Sequence, residues 1–321
     1  MGYADRCAYT PDFSMTRRWT MKILVCDKTE KEYVEQMRAA GLEVDVKDEI
    51  TPEELMTTLP SYDGMVVRSR TKVRQPLIDN CPNLKVIVRG GVGLDTIDAE
   101  YARSKGITVM NTPLANSASV AELTIGYMFA LARSIPQATA SLKAEKWEKK
   151  RFEGDEIGGK TLGLIGVGNI GREVSRRASA LGMKVLAYDP YIKELEGVKL
   201  VQLDELLSQS DYISLHLPRT AESTNMIGAD QFAKMKDGVR IVNCARGGII
   251  DENAFFDALT SGKIAGAALD VFAEEPPTDW RLLKLDNVIG SPHIGAATRE
   301  AQGRVGAEVA QKLIEFARSH S

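Results

Sequence analysis

Histidine is scarce in this sequence, and the scarcity limits which side chains could transfer protons near neutral pH. The 321 residues include three histidines, so histidine chemistry must use His216, His293 or His320. Imidazole is the side chain whose charge ordinarily changes between about pH 5 and 8. His320 stands one residue from the end of the sequence, where a solvated position is the simpler interpretation. Two candidates therefore remain.

Cysteine is also scarce, and its spacing argues against a metal cluster. No two of the four cysteines form a Cys-x-x-Cys pair, the spacing typical of zinc sites. We therefore predict no metal site, and we expect free thiols in a reducing cytoplasm. The cysteines are Cys7, Cys26, Cys81 and Cys244.

The sequence has neither an excess of positive charge nor a long apolar run. Forty-one Lys and Arg residues against 44 Asp and Glu give a net charge of −3, which lacks the basic excess of a nucleic-acid-binding protein. Glu122 interrupts the most apolar stretch, so no run approaches the roughly 18 residues of a membrane span. We expect a cytoplasmic protein with neither nucleic acid nor membrane as a partner.

The length and composition are those of a globular protein with two domains. A hydrophobic content of 44% and a charged content of 26% are ordinary for folded proteins and exclude fibrous and disordered classes. At about 150 residues per domain, 321 residues suggest two domains. Residues 1–20 have no hydrophobic periodicity and no secretory-signal core, so we predict a mobile leader or extension outside the fold. From Met21 the pattern changes abruptly to MKILVCD, which is typical of a buried strand.

Short apolar runs then alternate with helical stretches to the end of the chain. Because these runs are apolar throughout, they indicate parallel strands covered by helices on both faces. Two series of strands, separated by a long helix over 119–133 and a second one to about Trp147, predict two doubly wound parallel α/β sheets. A final helix is predicted over 299–317. The predicted strands are 22–26, 42–46, 64–68, 85–88 and 108–110, then 161–165, 184–188, 212–215, 240–244, 265–269 and 288–289.

One glycine-rich segment has the spacing of a dinucleotide-binding turn. The strand TLGLI runs into Gly166, Gly168 and Gly171 in a GxGxxG pattern, and a helical run follows. The first glycine allows a tight turn, the second lets a pyrophosphate approach the backbone, and the third permits close packing of helix on strand. Asp189, 18 residues after Gly171, ends the next strand, where it can accept hydrogen bonds from ribose hydroxyls. No arginine adjoins it, which favours NAD over NADP; an ordinary glycine-rich turn with a surface aspartate is the alternative.

Further candidates follow the carboxyl ends of other strands, where open α/β sheets bind ligands. Arg246, in NCARGG, could hold a substrate carboxylate by paired hydrogen bonds, or it could cap a loop or form a salt bridge. His293, in SPHIGA, could accept a proton if Glu274 or Glu275 fixed its tautomer, and an ordinary loop histidine is the alternative. By position alone, His216 is equally well placed.

Eight segments in order make the sequence similar to the D-2-hydroxyacid dehydrogenase family over residues 21–321, most closely to its phosphoglycerate-oxidising members. The resemblance implies a catalytic trio of Arg246, Glu275 and His293, where the glutamate is the one five residues after Asp270. In the implied reaction His293 takes the hydroxyl proton of a 2-hydroxy acid, and Glu275 stabilises the imidazolium. The similar segments are VVRSRTKV, NTPLANSASVAELT, LARSIPQATASLKAEKWEKK, GLIGVGNIGREV, VLAYDP, NCARGGIIDE, ALDVFAEEPP and SPHIGAAT.

The resemblance also implies a cofactor, a domain organisation and an assembly. It implies two Rossmann-like or flavodoxin-like domains with an active-site cleft between them: residues 21–118 with 295–321 for substrate, and 119–294 for NAD. The arm around Trp147 resembles the family's dimerisation segment, which implies a homodimer. Longer relatives continue into a serine-binding regulatory domain, so we expect no serine feedback here. The cofactor contacts that the glycine motif and the resemblance imply are Val92, Gly166, Gly168, Asn169, Ile170, Gly171, Asp189, Leu217, Cys244, Ala245, Arg246, Asp270, His293, Gly295 and Ala296.

A basic loop in the first series of strands suggests the substrate. Residues 68–74 contain four positive charges in seven positions, and a solvated basic loop is the usual interpretation of such a run. In the family this loop faces the cleft, and a substrate phosphate would need cationic partners there. We therefore hypothesise oxidation of 3-phosphoglycerate to 3-phosphohydroxypyruvate, with nearby backbone N–H groups suited to the carboxylate. The predicted substrate contacts are Arg68, Ser69, Arg70, Gly91, Val92 and Gly93.

Two other functions fit parts of this pattern. A glyoxylate or hydroxypyruvate reductase would share the catalytic trio and differ in the substrate pocket. An NADH-sensing corepressor would resemble the fold and act by binding peptide motifs rather than by turnover. Activity with phosphorylated and unphosphorylated acids distinguishes all three.

Overall fold

The computed structural model describes residues 21–320, so the leader or extension predicted at 1–20 lies outside the described residues. Within 21–320 the chain forms twelve β-strands and eleven α-helices. The strands are β1 (Lys22–Val25), β2 (Glu43–Val46), β3 (Gly64–Val67), β4 (Val86–Arg89), β5 (Thr108–Asn111), β6 (Thr161–Ile165), β7 (Lys184–Tyr188), β8 (Lys199–Leu200), β9 (Tyr212–Leu215), β10 (Val239–Asn243), β11 (Ile264–Leu269) and β12 (Val288–Gly290). The helices are α1 (Lys31–Ala39), α2 (Pro52–Thr58), α3 (Gln75–Asp79), α4 (Ala99–Ser104), α5 (Ser117–Arg133), α6 (Ile135–Lys143), α7 (Asn169–Ala180), α8 (Leu203–Gln209), α9 (Ala229–Lys234), α10 (Glu252–Thr260) and α11 (Arg299–Ser319).

The first five strands form one parallel sheet in the order β2-β1-β3-β4-β5. Ile23 of β1 lies opposite Val44 of β2 on one side and Gly64 of β3 on the other. The direction of strand addition reverses between β1 and β3. In open α/β sheets, ligands bind beyond the carboxyl ends of strands at such a reversal.

The remaining seven strands form a second parallel sheet in the order β12-β11-β10-β9-β6-β7-β8. Here the direction of addition reverses between β6 and β9, whose Ile165 and Leu215 are paired. The turn after β6 and the segment after β9 therefore adjoin the point where this architecture ordinarily binds a ligand.

Alternate residues of the central strands enter two different cores. In β9, Ile213 and Leu215 pack in a buried cluster with α8, α9 and α10, whereas Tyr212 packs in another cluster with α5 and α7. Each cluster includes side chains that are fully enclosed, such as Phe255 (1% exposed) and Met128 (0%). Helices thus cover both faces of the second sheet, which is why its strands are apolar throughout.

The first sheet is buried on both faces in the same way. Leu24, Met65 and Ile87 pack with residues of α2, α3 and α4 in one cluster. Ile23 and Val66, which point to the opposite face, are also buried.

The described residues divide into two compact units. One contains the residues up to Thr112 together with those from Gly303 onward, and the other runs from Pro113 to Gln302. The boundaries predicted from the sequence are 118/119 and 294/295. The assignment of the units to substrate and cofactor stays a prediction.

The predicted fold class, two parallel α/β sheets, is confirmed, and the differences in detail concern short elements. The sequence pattern missed β8, a two-residue edge strand, and the short helices α2, α3 and α8. Helix α6 ends at Lys143 and not near Trp147, because Glu145 adopts a left-handed backbone conformation with a φ of 59° that a helix cannot continue through.

Among residues 21–320, no helix is both long enough and apolar enough to cross a membrane.

Candidate active site

The GxGxxG segment forms the turn between β6 and α7, and its three glycines have different surroundings. Gly166 has a φ of 92°, and a Cβ there would lie 2.5 Å from the carbonyl oxygen of His216. A Cβ on Gly171 would lie 2.4 Å from the carbonyl oxygen of Gly166, so this glycine lets α7 pack against the turn. A Cβ on Gly168 would meet no atom within 4 Å, so this position faces open space at the start of α7. The surroundings match those of a turn that holds a pyrophosphate.

Asp189, directly after β7, ties the same turn to the sheet. Its Oδ2 accepts a hydrogen bond from the N–H of Val167 at 3.0 Å. Its Oδ1 accepts hydrogen bonds from the N–H groups of Tyr191 at 2.9 Å and Ile192 at 3.1 Å. A carboxylate has about four acceptor positions, of which three are used within the chain. The predicted ribose contact stays a prediction, whereas the anchoring of the glycine turn is observed.

The other predicted cofactor residues of the second unit lie at the carboxyl ends of its strands or at the start of α7. This is the edge at which open α/β sheets bind ligands. Asn169 and Ile170 begin α7, Leu217 follows β9, Cys244, Ala245 and Arg246 follow β10, Asp270 follows β11, and His293, Gly295 and Ala296 follow β12.

Cys244 is a buried residue at this edge, and its environment favours the thiol. Burial, reinforced by the negative charge of Asp270, raises the pKa of the thiol to about 12. The side chain is therefore not a nucleophile near neutral pH. Among residues 21–320, no three His, Cys, Asp or Glu side chains converge as metal ligands.

Arg246 lies in a turn that its neighbours hold in place. Asn243 Oδ1 accepts a hydrogen bond from the N–H of Ala245 at 3.0 Å, and Asn243 Nδ2 donates to the carbonyl of Arg246 at 2.9 Å. A Cβ on Gly247 would lie 1.7 Å from the carbonyl oxygen of Phe272. The arginine turn is therefore packed directly against the segment that follows β11.

That segment carries Glu275, and the structure brings Glu275 and His293 together. His293 Nδ1 and Glu275 Oε2 are 2.7 Å apart. Glu275 Oε1 also accepts from the N–H of Phe272 at 3.2 Å, whereas Glu274 accepts from Thr278 Oγ1 at 2.6 Å. Of the two adjacent glutamates, Glu275 is therefore the partner of the histidine. A carboxylate at Nδ1 keeps a proton on that nitrogen and leaves Nε2 to exchange protons.

The charge of Glu275 is maintained by its neighbours. Burial alone would raise the pKa of this carboxyl group, but the hydrogen bond and charge of His293, the Phe272 amide and the charge of Arg246 hold it below its usual range. Glu275 is thus ionised at neutral pH and favours a positive imidazole. The side chains of His293 and Glu275 are 45% and 38% exposed, so solutes can reach the pair.

Asp270 holds the loop in which His293 stands. The residue is 1% exposed. Its Oδ1 accepts from the N–H of Ile294 at 2.8 Å and its Oδ2 from the N–H of Gly295 at 2.7 Å. Ser291 Oγ also donates to Oδ1. The sequence predicted Asp270 as a cofactor contact and gave no indication of this second role.

Two side chains of α5 reach the same loop and were missed by the sequence interpretation. Ser119 Oγ donates to the carbonyl of Gly295 at 2.6 Å, and the hydroxyl of Tyr127 bonds Ser291 Oγ. Both residues lie in a largely apolar helix that the pattern indicates as core. Their polar atoms face the loop because α5 packs beside it. The residues next to them in the sequence give no indication of this packing.

The surroundings of His216 exclude it from proton transfer. Its Nε2 is 2.8 Å from Ser214 Oγ, and its Nδ1 is buried with no partner among the described residues. Burial lowers the pKa of the ring to about 3, so it is neutral across the physiological range. His320 is exposed near the end of α11, as predicted.

In the first unit, Arg70 is bound within the fold. Its Nε donates to Asp27 Oδ1 at 3.1 Å, and its guanidinium also donates to the carbonyls of Cys26, Asp48 and Ile50. Asp27 is 3% exposed and lies two residues after the end of β1. This set of bonds favours a structural role for Arg70 over the predicted substrate contact.

Arg68 and Ser69 line a cavity of about 490 Å³ at the carboxyl edge of the first sheet. Arg68 Nη1 donates to the carbonyl of Lys28 at 3.2 Å. Three acidic residues balance the three cations around this cavity, so it has no excess of positive charge. Its lining consists of Lys28, Arg68, Arg70, Ser69, Asp27, Asp48 and Glu49.

The glycine segment after β4 has one N–H already in use. Gly91 has a φ of 147° and donates its N–H to Thr112 Oγ1 at 2.8 Å. The carbonyl of Val92 accepts from Asn111 Nδ2. The backbone N–H of Gly91 is thus committed within the chain, and Val92 and Gly93 remain the predicted contacts of this segment.

Comparison with known proteins identifies a family whose sequences match the segment that contains this site. The family model described as D-isomer specific 2-hydroxyacid dehydrogenase, NAD binding domain, matches residues 125–295. The matched range contains the glycine turn, the arginine turn, the glutamate and the histidine.

Two curated relatives cover nearly all of this chain. The D-3-phosphoglycerate dehydrogenase of Archaeoglobus fulgidus is 51% identical over 303 residues, which are 93% of this chain and 58% of that protein. This chain therefore spans less than two thirds of that relative's length. The hydroxypyruvate reductase of Thermotoga maritima is 52% identical over 299 residues, which are 92% of this chain and 97% of that protein.

A solved structure gives the same likeness in three dimensions. The D-lactate dehydrogenase of Aquifex aeolicus, complexed with NAD and lactic acid, has a TM-score of 0.83 to this chain at 30% identity. The match covers 93% of this chain and 96% of that one.

Proposed function

Since this chain belongs to the D-isomer-specific 2-hydroxyacid dehydrogenase family, a family of NAD-dependent enzymes, we propose that it oxidises 3-phospho-D-glycerate to 3-phosphohydroxypyruvate. The family predicted from the motifs is confirmed, and residues 125–295 match the model of its NAD-binding domain. The observation that carries the proposed reaction is the 2.7 Å contact between His293 Nδ1 and Glu275 Oε2.

In this reaction His293 is the base. Because Glu275 holds the proton on Nδ1, the neutral ring presents Nε2 to the substrate hydroxyl and takes its proton there. The imidazolium that results is stabilised by the ionised Glu275. The guanidinium of Arg246 is suited to hold the substrate carboxylate and carbonyl oxygens as charge shifts. When bound, NAD would accept the hydride from C2 of the substrate.

The turn after β6 fits the pyrophosphate of NAD. The position of Gly168 is open, and no side chain caps the first turn of α7, so the N–H groups there can receive an anion. Asn169 and Ile170 would bind the phosphates, and Asp189 the adenine ribose. We also propose cofactor contacts by Val92, Leu217, Cys244, Ala245, Arg246, Asp270, His293, Gly295 and Ala296.

We propose that the first unit selects the substrate, with Arg68 as the cation that binds the phosphate. Arg68 is half-buried and lines the cavity at the edge of that sheet, where a guanidinium can bind a phosphate in bidentate geometry. Ser69, Val92 and Gly93 are further candidates for substrate contacts. The phosphoglycerate dehydrogenase of A. fulgidus, 51% identical to this chain, supports this choice of substrate.

Hydroxypyruvate reduction is the second candidate, and two observations favour it. The T. maritima hydroxypyruvate reductase is 52% identical and matches this chain over 97% of its own length. The cavity beside Arg68 contains as many carboxylates as cations, which suits an unphosphorylated acid at least as well.

We propose a homodimer formed through the arm around Trp147, together with α5 and α6 that precede it in the chain, and a cytoplasmic location. Four large apolar side chains of this arm are exposed: Phe129, Ile135, Leu142 and Trp147, the last to 84%. Contiguous apolar surface is typical of a face that a partner covers, and the exposure of these four side chains is the basis of this proposal. The described cysteines, Cys26, Cys81 and Cys244, are buried free thiols, as a reducing compartment permits.

Substrate choice is tested by initial rates of NADH oxidation with 3-phosphohydroxypyruvate, hydroxypyruvate and glyoxylate. We expect kcat/KM to be about 10- to 100-fold higher for the phosphorylated acid, the factor that a charge-assisted hydrogen bond contributes. The opposite order would replace the proposed substrate by hydroxypyruvate. No turnover of any of the three acids, in a protein that binds NADH, would refute both proposed substrates.

Removing the charge of Glu275 should lower the rate in a pH-dependent way. We expect Glu275→Gln to reduce kcat roughly 100-fold at neutral pH, because the imidazolium loses its counter-charge. The pKa of Glu275 is lowered, so its charge is present at neutral pH and lost as pH falls through that lowered value. The kcat of the wild type should therefore approach that of the variant only at acidic pH, below the ordinary range of glutamate pKa values.

Glu274→Gln is the matched control for this variant, because Glu274 bonds Thr278 and does not bond His293. Its kcat should stay close to that of the wild type. Equal losses in the two variants would contradict the assignment of Glu275 as the partner of the base.

The two arginines of the basic loop should differ when each is replaced. We expect Arg68→Ala to lower kcat/KM for the phosphorylated acid by about 10- to 100-fold with little change in melting temperature. Arg70→Ala should instead lower the melting temperature, because it leaves the buried carboxylate of Asp27 without its cation. Arg74 belongs to the same loop and is paired with Asp98. Arg74→Ala is therefore the control for the loss of kcat/KM and for the loss of melting temperature.

If Arg68→Ala left kcat/KM for the phosphorylated acid unchanged, the substrate assignment would be wrong. Rate assays and thermal unfolding of the same preparations separate the two effects.

A further inference from the structure

The backbone of His293 adopts a conformation that its neighbours must maintain. Its φ is 53°, in the left-handed region that side chains other than glycine rarely adopt. Residues in such conformations persist when surrounding contacts fix them, and they are common at functional sites. The contacts around His293 therefore bear on where its imidazole points.

Three hydrogen bonds donated by backbone N–H groups hold the residues around the imidazole. The N–H of His293 donates to the carbonyl of Ser291 at 3.0 Å. The next two N–H groups, of Ile294 and Gly295, donate to the two oxygens of Asp270 at 2.8 and 2.7 Å. The loop thus has the geometry that the Asp270 carboxylate imposes on it.

The orientation of that carboxylate depends in turn on a chain of two hydroxyl groups. An ionised carboxylate only accepts hydrogen bonds, so Ser291 Oγ must donate its proton to Asp270 Oδ1. Ser291 Oγ can then only accept from the hydroxyl of Tyr127, which fixes the direction of both bonds.

Tyr127 and Asp270, at the two ends of this chain of hydroxyl groups, are both buried, and Tyr127 lies on a rigid helix. Tyr127, in the middle of α5, is 8% exposed, and Asp270 is 1% exposed. Burial, with the negative charge of Asp270 nearby, raises the pKa of Tyr127 to about 12, so the phenol keeps the proton that it donates. The two hydroxyl groups connect the carboxylate to α5, which the N–H bonds of the loop do not do.

We propose that Tyr127 and Ser291 are positioning residues, which hold Asp270 and, through it, the His293 loop in the geometry of proton transfer. The inference rests on the proposed function for its effect on turnover, and on geometry alone for its effect on the His293–Glu275 contact. Neither residue needs to touch substrate or cofactor.

The test compares Tyr127→Phe, Ser291→Ala and the double variant with the wild type. Each single variant removes one hydroxyl and little volume. We expect kcat to fall on the order of tenfold in each, since small displacements of a catalytic group have effects of that size or larger. The Kd for NADH should change less than threefold. The double variant should be no slower than the slower single variant, because both substitutions break the same chain.

Two further variants separate positioning from general stability. Tyr62→Phe removes the hydroxyl of another buried tyrosine, which donates to Asp45 at 2.7 Å in the first unit, and it should leave kcat unchanged. Ser291→Thr keeps a hydroxyl and should recover most of the kcat that Ser291→Ala loses. Thermal unfolding of every variant shows whether any loss of rate merely follows a loss of fold.

A proton NMR readout tests the same inference without turnover. The hydrogen-bonded Nδ1 proton of His293 should give a resonance far downfield that is absent in His293→Asn, and with three histidines in the chain its assignment is simple. We expect this resonance to shift or broaden in Tyr127→Phe and Ser291→Ala but not in Tyr62→Phe. If no acid is turned over, the proposed function fails, and this resonance alone decides the inference.

Three results would overturn the inference. One is an Nδ1 resonance and a kcat that match the wild type in both Tyr127→Phe and Ser291→Ala. The second is a loss in Ser291→Ala that Ser291→Thr does not recover. The third is a pair of losses in the single variants that multiply in the double variant.

Discussion

A buried carboxylate, that of Asp270, sets the geometry on which the rest of the site depends. It is 1% exposed at the end of β11 and accepts hydrogen bonds from the N–H groups of Ile294 and Gly295. A charge buried in this way is costly unless its oxygens accept hydrogen bonds, so the loop and the carboxylate stabilise each other. His293 can hold its left-handed conformation because the next two residues are bound to the sheet. Its imidazole then meets Glu275, which supplies the counter-charge.

The same arrangement occurs at two other strand ends. Asp189, after β7, binds the N–H of Val167 in the glycine turn. Asp27, after β1, binds the N–H groups of Arg68 and Thr71 in the basic loop. Loops that leave a parallel sheet have N–H groups without partners in the strand ladder, and a short acidic side chain at the strand end satisfies them. The segments proposed to bind cofactor and substrate are thus fixed to rigid sheets, which suits sites that must keep their geometry.

Much of the fold and part of the site could be predicted from the sequence, because both leave local signals. Apolar runs bounded by turns predicted eleven of the strands among residues 21–320, and the spacing of Gly166 and Gly171 predicted the turn that the structure shows. The bond between Tyr127 and Ser291 joins residues 164 positions apart, and Tyr127 follows the pattern of a core residue, so nothing local indicated it. The charge of Arg70 was visible, but its acceptors were not. Backbone carbonyls that converge on a guanidinium are a product of the fold.

The Asp270 carboxylate orders the His293 loop, and amide hydrogen exchange in Asp270→Asn tests this role directly. An asparagine of the same shape replaces one acceptor oxygen with an NH₂ group, which would face an N–H of Ile294 or Gly295. We predict that these two amides exchange at least about tenfold faster in the variant, the effect of losing a bond of about 1.4 kcal/mol, while those of β9 and β10 stay protected. Unchanged exchange at Ile294 and Gly295 in a folded variant would contradict the account.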